Sequence, residues 1–258
     1  MRFLKLFSSL LVVSLLSSAC GNLRIKTEIP YQPNAKVKKI ALVALHLNPP
    51  VLPETPVGDA SAFNKKLIAN KKEIQELFNR EVEKMTNELG MGLEAQMGIS
   101  TDYGQALKDV KGYDRLASKS DDEVLKVKND IFSEILIADG SLSLLDFEEG
   151  KVKEYLEESP RLRSQVRSLS KSLNAELIAY ANARVVVDKV LRYGEKANIR
   201  LLIDIYLFDD QGKLVGQSYG ETEPYMVSGS SAKDFDLVFE AYPVLQNLIL
   251  TDLQKVEE

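Results

Sequence analysis

Cysteine occurs once in these 258 residues, at Cys20, and histidine once, at His46. A single cysteine excludes an internal disulfide and a thiolate metal site. In an oxidising compartment such a chain holds together by packing alone. One histidine falls short of the several His or Cys ligands that zinc usually takes. It also leaves a nucleophile triad only His46 as its base, and His46 ends an apolar run with no partner pattern around it, which points to packing. No GxxxxGK[ST] run is present to cradle phosphates, and no GxSxG elbow to expose a nucleophile. The paired acids Asp121-Asp122, Glu148-Glu149, Glu157-Glu158 and Asp209-Asp210 lack calcium-loop spacing and read as solvated faces. No carboxylate pair is singled out for glycoside chemistry. Positive charge is in deficit: 33 Lys and Arg against 38 Asp and Glu, net −5. That excludes the basic footprint of a nucleic-acid binder. Nothing after residue 20 is long and apolar enough to span a bilayer as a helix. The sequence thus names no catalytic residue, no cofactor and no metal.

The opening MRFLKLFSSLLVVSLLSSACGN has a basic start at Arg2 and Lys5, an apolar core from Leu6 to Leu16, and the small residues Ser17, Ser18 and Ala19. This is the layout of a secretory signal peptide, with a core too short to span. Cys20 follows directly. Small residues and then cysteine at the end of an apolar core resemble the lipobox of bacterial lipoproteins. Ser17 stands where leucine is usual, a relaxation known from spirochaete lipoproteins. The resemblance implies cleavage after Ala19 and acylation of Cys20, which would fix the chain to a membrane through lipid. The other reading is an ordinary cleaved signal with an incidental cysteine. Gly21 in place of aspartate leaves out the best-known inner-membrane retention signal of enteric bacteria and leans the expectation to the outer membrane. Without residues 1–19, basic side chains number 31 against 38 acidic, a balance of about −7.

The expected organisation is a signal peptide over 1–19, a lipid-attached tether over 20–36 containing Pro30 and Pro33, and one α/β domain over 37–258. VKKIALVALHL, residues 37–47, is apolar on both faces and reads as a strand buried on both sides. NPPVLPETP then stops regular structure. Ile74, Leu77, Phe78, Val82, Met85 and Leu89 form a helical stripe within 60–89, with Gly90 and Gly92 as the expected stop. Residues 98–150 read as a helical insertion, with short helices over 103–117 and 121–135. A helix over 151–174 presents Leu162, Val166, Leu169 and Leu173, with Pro160 at a first turn and Asn174 as its C-terminal cap.

Strand alternation is strongest in ELIAYANARVVVD (176–188) and NIRLLIDIYLF (198–208). The turn DDQGK follows, with Gly212 suited to positive φ, and residues 214–220 return antiparallel. A last helix over 233–256 contains Pro243, expected to kink it. The fold class is therefore an α/β (α+β) sandwich: a mixed sheet with an antiparallel meander near the C-terminus, helices packed on it, and a helical insertion in the middle. The loop YGETEPYMVSGSS joins meander to helix. Its Tyr219, Tyr225 and Met226 are either a partner contact, since aromatic and Met side chains are enriched at interfaces, or a cover for the sheet edge.

KKIALVALHL, SLSKSLNAELIAYANARVVVD and RLLIDIYLFDDQGKLVGQSYGET together resemble, over about residues 37–220, a periplasmic α/β domain. That domain is shared by the curli-secretion lipoprotein, the amino-terminal domain of the Tol-Pal propeller protein, and lipoprotein activators of peptidoglycan synthases. Asn174 stands where those proteins usually have glycine, and the central block departs from their pattern. The motifs are structural. The resemblance implies a non-enzymatic protein-interaction or assembly module of the cell envelope, with other envelope proteins as partners and an open oligomeric state. A subunit of an outer-membrane secretion pore is the alternative from the same likeness; an envelope hydrolase is a further one without motif support.

Overall fold

The computed structural model describes residues 23–51, 61–111, 113, 136–142, 160–191 and 195–255. The signal and Cys20 lie outside the described residues, as does most of the expected insertion. The elements in chain order are β1 (Arg24–Ile29), β2 (Lys39–Val51), α1 (Ser61–Ala69), α2 (Lys71–Met97), β3 (Ser100–Asp102), α3 (Gln105–Lys108) and β4 (Leu136–Ile137). They continue with α4 (Pro160–Leu173), β5 (Leu177–Leu191), β6 (Lys196–Asp209), β7 (Leu214–Glu221), β8 (Tyr225–Val227), α5 (Lys233–Glu240) and α6 (Tyr242–Leu253). One mixed sheet runs in the order β1-β7-β6-β5-β2-β3, with β4 on β2 and β8 on β6. β2 pairs parallel with β3 and β5, while β5, β6 and β7 form the antiparallel meander read from the sequence.

Helices cover both faces. The main core lies between the sheet and α1, α2, α5 and α6; it takes in Ala179, Ala181, Ala183, Val185 and Val187 of β5 and Ile199 to Leu207, at every second position, of β6. The alternation read in those strands is this face. On the second face α4 lays down Leu162, Val166, Leu169 and Leu173 over Ile178 and Phe208. Asn174 takes φ 51 after α4, the left-handed cap expected of it. Gly212 sits in the β6–β7 turn at φ 73.

Four expectations are corrected. The stretch read as a loose tether contains β1, which pairs antiparallel with β7 from Arg24↔Glu221 to Ile29↔Gln217. Thr27 Oγ1 donates to Asp252 of α6 at 2.7 Å and ties the strand down further. Gly90 and Gly92 do not end α2; it runs on to Met97 and stops at Gly98, φ 64. Their missing side chains serve packing. A Cβ on Gly90 would stand 2.2 Å from the Tyr103 ring, and one on Gly92 2.2 Å from Gln246. The C-terminal helix is not one kinked rod. It breaks at Ala241, and Pro243 sits in the first turn of α6, where its absent N–H costs nothing. Finally, the described parts of block 98–150 include β3 and β4, which extend the sheet along β2. Of the helix expected over 103–117, the described residues show α3, Gln105–Lys108; the helix over 121–135 lies outside them.

Candidate functional site

Strand register gathers polar side chains on the second face beyond the reach of α4. His46, Asn182, Asp204, Tyr219 and Lys26 are successive partners across β2, β5, β6, β7 and β1. The rung beyond it holds Asn48, Arg184, Leu202, Glu221 and Arg24. Residues facing each other across a ladder share a face, so these groups meet.

Most of them pair with one another in two networks, while the buried Nε of Arg184 has no hydrogen-bond partner among the described residues and Lys26 pairs with Glu28. In the first, the Tyr180 hydroxyl lies 2.8 Å from His46 Nδ1, with the two rings edge to face at 5.0 Å. Tyr180 stacks on Tyr206 at 6.0 Å. Arg184 donates to Asp204 Oδ2 at 3.0 Å, and Asn48 Nδ2 to Asn182 Oδ1 at 2.6 Å. In the second, Arg200 pairs with Asp188 through Nε at 2.6 Å and Nη2 at 2.7 Å, and with Glu221 at 3.0 Å. Glu221 also takes Arg24 at 3.3 Å and the Tyr219 hydroxyl at 2.6 Å.

Burial governs the electrostatics. Asp204 has its carboxyl raised above the usual range by desolvation, which the Arg184 guanidinium opposes. The Tyr206 and Tyr219 hydroxyls are pushed up, first by burial and then by neighbouring carboxylates. His46, 2% exposed, is pushed down to about 4 by burial alone. It is a neutral packed ring at ordinary pH, as its place on an apolar strand led one to expect.

This yields a pH prediction. The unfolded chain takes up a proton on His46 near pH 6.5, and the folded chain near pH 4. Stability from the neutral ring is present above pH 6.5 and is lost as the pH falls toward 4, by about 3 kcal/mol in all. Protonation of Asp204 acts in the opposite direction, because its folded value is raised by burial. Urea midpoints measured from pH 7 to 4 should fall for the parent chain, and His46→Gln should flatten the curve.

The three expected contact residues do not form one patch. Tyr219 is half-buried and tied to Glu221. Tyr225, opposite Ile199, turns to the main core. Met226, opposite Asn198, shares the second face with Tyr219 and is 56% exposed. The contact His46–Tyr180 escaped sequence reading because it depends on the pairing of strands far apart in the chain, and Arg200–Glu221 because it depends on the exact register of the β6–β7 pair. A single sign was visible: Tyr180, Asn182, Arg184 and Asp188 share one face of β5.

At the other end of the sheet a cleft of about 790 Å³ opens between residues 30–37, α4 and the β6–β7 turn. Arg163, Lys36 and Lys213 line it together with Glu176 and Asp209. The acids are occupied: Glu176 accepts from the backbone N–H of Lys38 and Lys39, Asp209 from that of Gln211 and Lys213, and Asp210, which also lines the cleft, from the Gln211 side-chain amide. Its chemistry suits binding.

No family model matches the chain, and no curated protein matches it. Among solved structures, the PelC dodecamer from Paraburkholderia phytofirmans is similar at 12% identity, covering 91% of this chain and 99% of that one, with a TM-score of 0.32. A point variant of the same dodecamer gives 11% identity, 91% and 98% coverage, and a TM-score of 0.33. Similarity at this level assigns neither a function nor an assembly.

Proposed function

We propose that this chain is a lipid-anchored cell-envelope protein, held at the outer membrane, whose α/β domain is a non-enzymatic protein-interaction or assembly module. One observation carries the reading: the chain's single cysteine stands at position 20, directly after a basic, apolar and small-residue leader. An acylated cysteine with two or more fatty chains anchors stably, since each buried methylene contributes about 0.8 kcal/mol and one chain alone holds only marginally. The charged residues of the second face are engaged with one another, and a rigid, mutually paired face of this kind is compatible with a binding scaffold. No helix among the described residues is long and apolar enough to cross a membrane.

Partners belong on the parts of the domain away from the anchor. A photo-crosslinking residue at Leu248, exposed on α6, and one at Lys213, at the cleft, test this in cells. Adducts with other envelope proteins from at least one site are expected. Monomer alone from both, in chains that sediment with membranes, would sink the interaction reading.

A further inference from the structure

We propose that the end of the sheet carrying the β5–β6 connection and β8 rests on the bilayer that holds Cys20. This rests on the anchor reading and adds an orientation to it. The slack is short. β1 begins at Arg24, four residues after Cys20, and four residues reach at most about 14 Å. Arg24 itself is fixed by its pairing with Glu221, by their 3.3 Å ion pair, and by the bond from Thr27 to α6.

Direction follows from register. Arg24 is level with Glu221 and Leu202, and β1 runs from there toward the β6–β7 turn. Traced backward, β1 therefore points toward the opposite end, where β6 begins. There β6 extends six residues past Leu202, to Lys196, or about 20 Å at strand rise. The start of β6 at Lys196 thus lies farther from Arg24 than Cys20 can reach. A cysteine seated in headgroups brings this end of the sheet onto them.

The surface chemistry agrees. Among the exposed large hydrophobic residues described, Ile68 at 58% and Met226 at 56% are the most exposed. Both belong to this end. Met226 lies in β8, beside Asn198. Ile68 is in α1, which the Lys66 Nζ bond to the Glu195 carbonyl joins to the start of β6. Lys65 and Lys189 are exposed nearby, and Lys196 is half-exposed. Of the acids there, Asp188 and Glu221 are held by Arg200, and Glu195, Glu223 and Glu240 lie close by. Apolar tips among lysines suit the interface of a bilayer with anionic headgroups.

The chain has no tryptophan, so Met226→Trp supplies a single fluorophore at this end. Lys196→Trp is a second probe there, and Gln211→Trp marks the β6–β7 turn at the far end. The acylated full chain is reconstituted in phosphatidylethanolamine–phosphatidylglycerol vesicles containing headgroup-spin-labelled phosphatidylcholine. Quenching several-fold stronger for Met226→Trp and Lys196→Trp than for Gln211→Trp is expected. Equal quenching at both ends, in protein that floats with the vesicles, overturns the orientation and leaves the anchor standing; the end would then be open to a protein partner. Protein that does not float overturns the anchor and the orientation together.

Discussion

Phe78→Ala should cost about 3–5 kcal/mol, the range for truncating a fully buried aromatic side chain. Phe78 lies on the inner stripe of α2 and is 1% exposed. Its ring meets Phe239 edge to face at 5.1 Å and 89°, and Phe235 at 5.9 Å and 68°. Ring pairs of this geometry contribute about 0.5–1.5 kcal/mol beyond the area they bury. Alanine removes both pairs and leaves a cavity where α2 meets α5. At about 2–4 °C per kcal/mol for a domain of this size, the melting temperature should drop by roughly 10 °C. Urea unfolding would show a lower midpoint at unchanged slope. Leu248→Ala, on the exposed side of α6, should stay within about 0.5 kcal/mol. Equal costs for the two would mean that the helical layer is not packed through this stripe.

Asp204→Ala is the second large effect. Asp204 and Arg184 face each other on the second face with side chains 12% and 28% exposed. Removing the carboxylate leaves the guanidinium partly desolvated and without its 3.0 Å partner. Breaking a buried pair on one side costs about 3–5 kcal/mol, and the residual exposure of Arg184 puts the expectation at the lower end. Replacing both partners, Asp204→Leu with Arg184→Met, should recover most of the loss, since apolar groups of similar volume remove the desolvation penalty altogether. Chemical unfolding of Asp204→Leu, Arg184→Met and the double variant completes the cycle and gives the coupling. If the double variant is as unstable as Asp204→Ala, the pair holds more than itself in place, and the neighbouring Tyr206 and Tyr180 become the positions to test next.

The legible parts of the fold were those whose signal is local. β5 and β6 alternate over more than ten residues each, and α2 and α4 carry stripes at helical spacing, so each announces its own buried face. β1 did not. RIKTEI offers only Ile25 and Ile29 as apolar residues, is followed by Pro30, and owes its existence to the free edge of β7. Its Lys26 and Glu28 are what an edge strand carries to discourage further pairing. Gly90 and Gly92 looked like a stop because glycine weakens helices; what overrides this is the space taken by Tyr103 and Gln246, residues that no local window connects to them. The second-face networks were half visible. The sequence of β5 showed a polar face, but the residues that neutralise it come from β1, β2, β6 and β7.

The same contrast separates the two halves of the functional reading. The proposed anchor rests on adjacent residues, and the orientation proposed with it could be argued only once β1 was seen to begin four residues beyond Cys20. On the proposed reading, a strand in place of a loose tether would turn the attachment point into a fixed pose. It also moves the expected partner surface away from Met226 and toward the helices and the cleft at the far end.

The most direct test of the central claim is palmitate labelling of the full-length chain in bacterial cells beside Cys20→Ala. Label on the parent, absent from Cys20→Ala, together with release of that variant from the membrane fraction, is the predicted result. A parent chain that takes up no label and stays in the soluble fraction would contradict it, and would leave the α/β domain without an anchor or a membrane-facing end.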